Sequence, residues 1–220
     1  MSARAVPGAP TEERAWWLRT LLVLGSPRSV FAALRDDSQE AAHARQEPLL
    51  AIVWLAGIAG VLMSGITGRV LDDAEFDGLV LVVWAFLAGG IEGLFGYFLI
   101  GGLVFFAASL LGSLGTFRRA RHLVGYAAVP LVLSLVVWPV RLAVHGSDTF
   151  RTGGSDTGSG ATAFTVLEAA FVAWAVVLLT IGVRTVHGWG RLRALAVVAL
   201  AATPLVLLFR ALDVVSSWEF

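Results

Sequence analysis

Unbroken apolar runs decide what this chain can fold into. Residues 49–68 pass twenty positions without a charged side chain. At about 1.5 Å per residue, a helix of that length matches a hydrocarbon core about 30 Å thick. Further apolar regions follow at 78–112, 122–143, 163–183 and 194–213. A water-soluble helix keeps its apolar residues on one stripe and turns a polar face to water. These regions have no such face. The composition agrees, with 57% of residues hydrophobic and 15% charged, against about 45–50% and about 25% in soluble domains. The expected fold is all-α, a polytopic transmembrane helical bundle of five spanning helices.

The count of five turns on the region 78–112. As one helix it would be about 50 Å long, well over the core thickness. As a hairpin it would fit two crossings and a turn into a tight space. Gly89-Gly90 and Glu92 interrupt it near the middle. Arginine placement chooses between the two. All 16 cationic side chains are Arg; six lie in the N-terminal segment, three in Arg118–Arg121 and three in 184–193. Cytoplasmic loops carry an excess of cations. Putting all three basic segments in the cytoplasm requires an odd number of crossings in 78–112. One crossing, 91–112, follows, preceded by an apolar stretch 78–90 that is a helical extension, an interfacial helix or a re-entrant piece. The chain then runs N-in, C-out, as a multi-pass protein of the cell membrane. Only Arg69, Arg141, Arg151 and Arg210 fall at or beyond the outer face.

Residues 1–48 form a cytoplasmic N-terminal segment ahead of the membrane domain, 49–213. Residues 1–13 are expected to be disordered. Arg and Glu run up to Arg19, and Leu21–Leu24 is too short for the apolar part of a signal peptide. Residues 14–24 alternate Trp16, Trp17, Leu18, Leu21 and Leu22 with Arg14 and Arg19, the pattern of a short interfacial helix. Ser26 then reads as an N-cap with Pro27 at the first helical position, opening a second short helix with Val30, Phe31 and Leu34 on its apolar face. The Gly/Ser/Asp stretch 144–162 is an external loop. Its Asp148 and Asp156 carry oxygen ligands suited to a hard cation, but two carboxylates in a Gly/Ser stretch read better as a linker.

Four charges sit in or at the edge of the apolar regions: Glu92, Arg141, Glu168 and Arg210. In the five-helix topology all four lie near the outer end of their helices. A lone charge in the core costs at least about 2.5–3.5 kcal/mol, so an inter-helix network of Arg and Glu is expected at that depth. Arg118, Arg119 and Arg121 are candidates for contact with anionic headgroups at the cytoplasmic face. Gly89 and Gly93 form a GxxxG spacing, which lets helices approach closely, within the chain or between copies.

Other chemistry finds little footing. The net charge is +0 and there is no Cys, so neither a nucleic-acid partner nor thiolate chemistry is expected. His43, His122, His145 and His187 are scattered, one per loop or tail. No metalloprotease, nucleophile-elbow or phosphate-loop motif occurs. No catalytic, cofactor-binding or metal site is expected, and the chain reads as no enzyme. Two functions fit: a non-enzymatic organising or accessory membrane component, or a small transporter or channel subunit with a polar intramembrane site near Glu92 and Glu168.

The third apolar region opens with Gly125-Tyr126-Ala127-Ala128-Val129-Pro130, just after the basic loop. Together with Pro27-Arg28-Ser29-Val30-Phe31 and the five apolar regions, this resembles the Yip1-domain membrane family, over roughly residues 27–212. Trp138-Pro139-x-Arg141 and Val186-His187-Gly188-Trp189 are similar to a bacterial subgroup's pattern. The resemblance implies membrane location and topology and almost no mechanism. Eukaryotic members are associated with Rab-type GTPases and carry an Asp-Leu-Tyr-Gly-Pro motif; that motif is missing here, so GTPase binding does not carry over.

Overall fold

A computed structural model describes residues 9–64, 78–146, 149 and 158–216. The described residues form helices joined by short turns, without a strand. In chain order the helices are α1 (Ala9–Gly25), α2 (Pro27–Ala33), α3 (Gln39–Ala44), α4 (Gln46–Met63), α5 (Gly78–Leu110), α6 (Phe117–Ala127), α7 (Val129–Ser134), α8 (Val137–His145), α9 (Gly158–His187) and α10 (Arg191–Ser216). Among the described residues five stretches are long and apolar enough to cross a membrane: α4, α5, the run α6–α8 over Phe117–His145, α9, and α10 as far as Leu208. This is a multi-pass membrane protein.

Every span differs somewhat from its sequence limits. α4 starts three residues early because Pro48 falls in its first turn, where a backbone N–H has no acceptor to lose. It ends at Met63, and Ser64 is extended (ψ 138°); the expected continuation over 65–68 lies outside the described residues. α9 already begins at Gly158, so the last residues expected in the external loop form its first turns. Asp148 and Asp156 lie outside the described residues. α1 begins at Ala9, within the stretch expected to be disordered.

α5 gives the largest correction. Gly89-Gly90 does not interrupt it, and 78–90 is a helical extension of one 33-residue helix. The glycines are its contact surface. A Cβ on Gly57 of α4 would stand 1.9 Å from the Gly89 carbonyl oxygen and 2.5 Å from the Gly93 nitrogen, and one on Gly90 would enter the Trp54 ring at 2.2 Å. Residues that look like breaks in a one-dimensional reading are what let two backbones touch.

The third span is broken instead, into α6, α7 and α8. Pro130 and Pro139 lack an N–H, and the chain re-satisfies the carbonyls around them with short-range bonds. Leu131 donates to Ala128 (2.9 Å), Leu135 to Val132 (3.2 Å) and Val136 to Leu133 (3.1 Å). This span is central. His122, Leu123, Tyr126, Val129, Ser134 and Trp138 are all buried.

Two tight turns fix the antiparallel neighbours. Gly112 (φ +83°) and Gly188 (φ +67°) follow α5 and α9 in the left-handed conformation. Ser113 N–H then reaches Ala108 carbonyl (2.9 Å) and Trp189 N–H reaches Arg184 carbonyl (3.2 Å). α6 and α10 start within a few residues.

The bundle packs unevenly. At the end where α6 and α10 begin, the main core joins α1 and α2 to the spans: Trp16, Val23, Phe31 and Leu34 are buried among Leu49, Val104, Tyr126, Val183 and Val197. At the other end Trp138 is the buried centre of a small cluster with Leu62, Met63, Leu81 and Leu135. The outer faces of α5, α9 and α10 expose large apolar side chains, among them Leu79, Phe86, Phe95, Val166, Val177 and Leu207. Water does not tolerate that much contiguous apolar surface; lipid does.

Candidate functional site

The N-terminal segment and both basic loops meet at the densely packed end. Ser38 caps α3 by accepting from Ala41 N–H (3.2 Å), and Thr116 caps α6 by accepting from Arg119 N–H (3.1 Å). These caps set the two helix starts. Asp37 then bridges them. Its carboxylate accepts from Arg118 Nε (2.9 Å) and from the Thr116 hydroxyl, and Arg118 also donates to the Asp37 carbonyl. Arg119 donates to the Arg35 carbonyl (2.9 Å), Arg35 donates twice to the Thr185 carbonyl (3.2 and 2.5 Å), and Arg193 donates to the Leu111 carbonyl. Burial pushes the Asp37 carboxyl up, but the hydrogen bonds from Thr116 and Arg118 and the charges of Arg118 and Arg119 outweigh it, and the group stays below the usual carboxylate range. Behind this web lies Arg45, fully buried over the Trp16 ring (5.3 Å), with Nη2 donating to the Asp36 carbonyl (2.9 Å). Burial lowers its pKa, and the nearby Tyr126, Asp37 and Asp36 work against that.

Beside the web a groove of about 490 Å³ opens between α3, α4, α5 and α6. Its polar side holds Gln39, His43, Gln46, Arg118, Arg121 and His122; its apolar side holds Leu49, Leu50, Val53, Leu94, Tyr97 and Phe98. Arg121 lies with its guanidinium against Phe98 (4.5 Å), Phe117 (4.8 Å) and Tyr97 (5.4 Å). It fits there because Gly101 has no side chain; a Cβ would meet Arg121 Cγ at 2.5 Å.

Of the four membrane-level charges, two meet. Arg141 and Glu168 form an ion pair at 2.8 Å, both about nine-tenths buried, with Arg141 over the Trp138 (5.0 Å) and Phe164 (5.9 Å) rings. Glu92 sits elsewhere. Its carboxylate lies over Gly60 of α4, and it borders a groove whose other lining runs from Val80 to Phe95 along α5 and is apolar. Arg210 is exposed on α10. Neither Glu92 nor Arg210 joins an ion pair among the described residues. No group of three or more metal-ligating side chains occurs among them either.

Each sequence signature has a place at a structural joint. Gly125 lets Leu49 of α4 approach, since a Cβ there would meet Leu49 Cδ2 at 2.5 Å. Tyr126 is fully buried and tilted against Trp16 (5.6 Å), and Pro130 lies in the first turn of α7. His187, Gly188 and Trp189 make the turn into α10, with the two rings stacked at 4.4 Å and Arg193 over Trp189 at 4.1 Å. The family model described as Yip1 domain matches residues 21–212. The chain belongs to the Yip1 domain family. The match begins inside α1, so α2 and α3 fall within it, while Trp16, part of the same core, lies ahead of it. No curated protein and no solved structure matches this Yip1 domain.

Arg118, Arg119 and Arg121 are legible in the sequence as a basic cluster; the roles of Asp37, Arg45, His43, Tyr97 and Phe98 around them are not. The basic loop was the available signal. Nothing in spacing links Asp37 to Arg118, 81 positions away.

Proposed function

We propose that this Yip1 domain is a non-enzymatic accessory component of the cell membrane, oriented N-in and C-out, that organises the lipid and protein around its basic end. The carrying observation is the convergence of the N-terminal segment with both basic loops, tied by Asp37–Arg118, Arg35–Thr185 and Arg193–Leu111. The positive-inside bias assigns that end to the cytoplasm. Arg28 and Arg191 are exposed, and each such cation near an anionic leaflet contributes about 1 kcal/mol. Trp17, Leu18, Leu21 and Leu22 point away from the core, which suits α1 to the interfacial layer of the inner leaflet. Of the family's branches, the bacterial one fits best, on the Trp138-Pro139-x-Arg141 and Val186–Trp189 stretches.

Contacts with other membrane proteins would use the open apolar flanks of α5, α9 and α10. Self-association through Gly89 and Gly93 would have to compete with α4, which already occupies them. The transporter reading needs Glu92 and Glu168 at one polar site; Glu168 pairs with Arg141 and Glu92 lies over Gly60, so no observation favours it.

The test is the composition of the lipid shell. In vesicles of mixed phosphatidylglycerol and phosphatidylcholine, energy transfer from tryptophan to labelled lipid should report phosphatidylglycerol enrichment around the chain that fades as salt screens the cations. A shell with the bulk composition at low salt would overturn the organising role.

A further inference from the structure

The three arginines of the basic loop are not equivalent. Arg118 and Arg119 direct N–H groups to Asp37 and to the Arg35 carbonyl. Arg121 makes no hydrogen bond or ion pair among the described residues, and its buried Nε is unpartnered there. The three aromatic rings hold the guanidinium and give it no acceptor. Ring contact of this kind stabilises a cation, and it leaves the planar N–H fork open to oxygens that match it in pairs. A second unpartnered group lines the same groove. His122 is 7% exposed, and its Nδ1 has no hydrogen-bond partner among the described residues. Among the described residues no carboxylate lines the groove, and Arg118 and Arg121 make it positive.

The opposite wall excludes a purely hydrophilic ligand. Leu49, Leu50, Val53 and Leu94 form it, and Leu50 is half exposed at its edge. A volume of about 490 Å³ is within the usual range for a small-molecule site, about 300–1,000 Å³. It suits a headgroup and the start of its chains, with the rest running out over Leu50. Depth is consistent too: Arg121 is four residues into α6, roughly 6 Å along the span.

We propose that this groove holds one anionic phospholipid, its phosphate on Arg121 and His122 and its acyl chains against Leu50, Val53 and Leu94. The inference rests on the inner-leaflet reading of the basic end and is narrower than it, since it concerns one retained lipid and not a diffuse shell.

Native mass spectrometry of the full chain, released from nanodiscs of equal phosphatidylglycerol and phosphatidylcholine, tests it. The wild type should keep one phosphatidylglycerol per chain after detergent exchange. Arg121→Gln should lower that retention at least tenfold, while Arg184→Gln, a change in the last turn of α9 beside the other basic loop, should leave it intact. Millimolar inorganic phosphate should not displace the lipid; displacement would mean a free-anion site and overturn the proposal, as would equal retention in Arg121→Gln. Should Arg121→Gln fail to fold, the wild type decides alone. Photoactivatable phosphatidylglycerol must then cross-link to peptides covering 46–53 and 94–98, and cross-links scattered over the outer helix faces would overturn the site. Salt-sensitive enrichment without a retained lipid removes the site and spares the organising role; a retained lipid without enrichment does the reverse.

Discussion

Gly57 sets how closely α4 and α5 approach. A methyl group there would overlap the Gly89 carbonyl oxygen, which is backbone and cannot rotate away. Gly57→Ala should therefore separate the helices and cost about 1–3 kcal/mol or more, read as a lower denaturation midpoint in detergent; an unchanged midpoint would mean the contact is loose. Gly89 and Gly93 were legible as a close-packing pair, but their partner was not, because Gly57 lies in a run of similar small residues. Asp37 shows the same limit, since its charge was visible and its role as a clasp was not. Its folded pKa is depressed. The stability it adds is thus complete above its unfolded value, near 3.8, and is lost as pH falls through the lower folded value. Hydrogen exchange in α2 and α3 should accelerate below that pH in the wild type, and Asp37→Asn should show the faster exchange already at neutral pH. If the wild type and Asp37→Asn titrate alike, the clasp is not Asp37.

At the scale of elements, α5 separates what hydropathy can tell from what it cannot. Hydropathy marked 78–112 as apolar and Arg placement required an odd number of crossings, yet neither distinguishes a continuous helix from a re-entrant piece followed by a helix. The structure gives one helix of 33 residues. Spin labels at Val80 and Ala108 should lie about 42 Å apart along it. A distance below about 25 Å would indicate a folded-back chain, because such a hairpin returns its ends to one side of a core about 30 Å thick. The third span was the opposite case. The run 122–143 reads as one apolar region, yet the helix breaks near Pro130 and Pro139, where the missing N–H leaves carbonyls to short-range bonds.

For the whole molecule, the five spans were readable because burial in lipid leaves long apolar runs. The dense end was not readable. It depends on contacts between residues far apart in the chain, such as Arg35 with Thr185 and Trp16 with Tyr126. Which helices face each other cannot be read from the position of a charge along one helix; Arg141 meets Glu168 while Glu92 turns to Gly60. The orientation of this asymmetric bundle is the claim on which the rest depends. The sequence contains no Cys, so single cysteines at Ser113, between α5 and α6, and at Ser159, at the start of α9, can be labelled with a membrane-impermeant maleimide in intact cells and in inside-out vesicles. Labelling of Ser113→Cys only in inside-out vesicles and of Ser159→Cys only in intact cells is the predicted result. Labelling of both from the same side would contradict it.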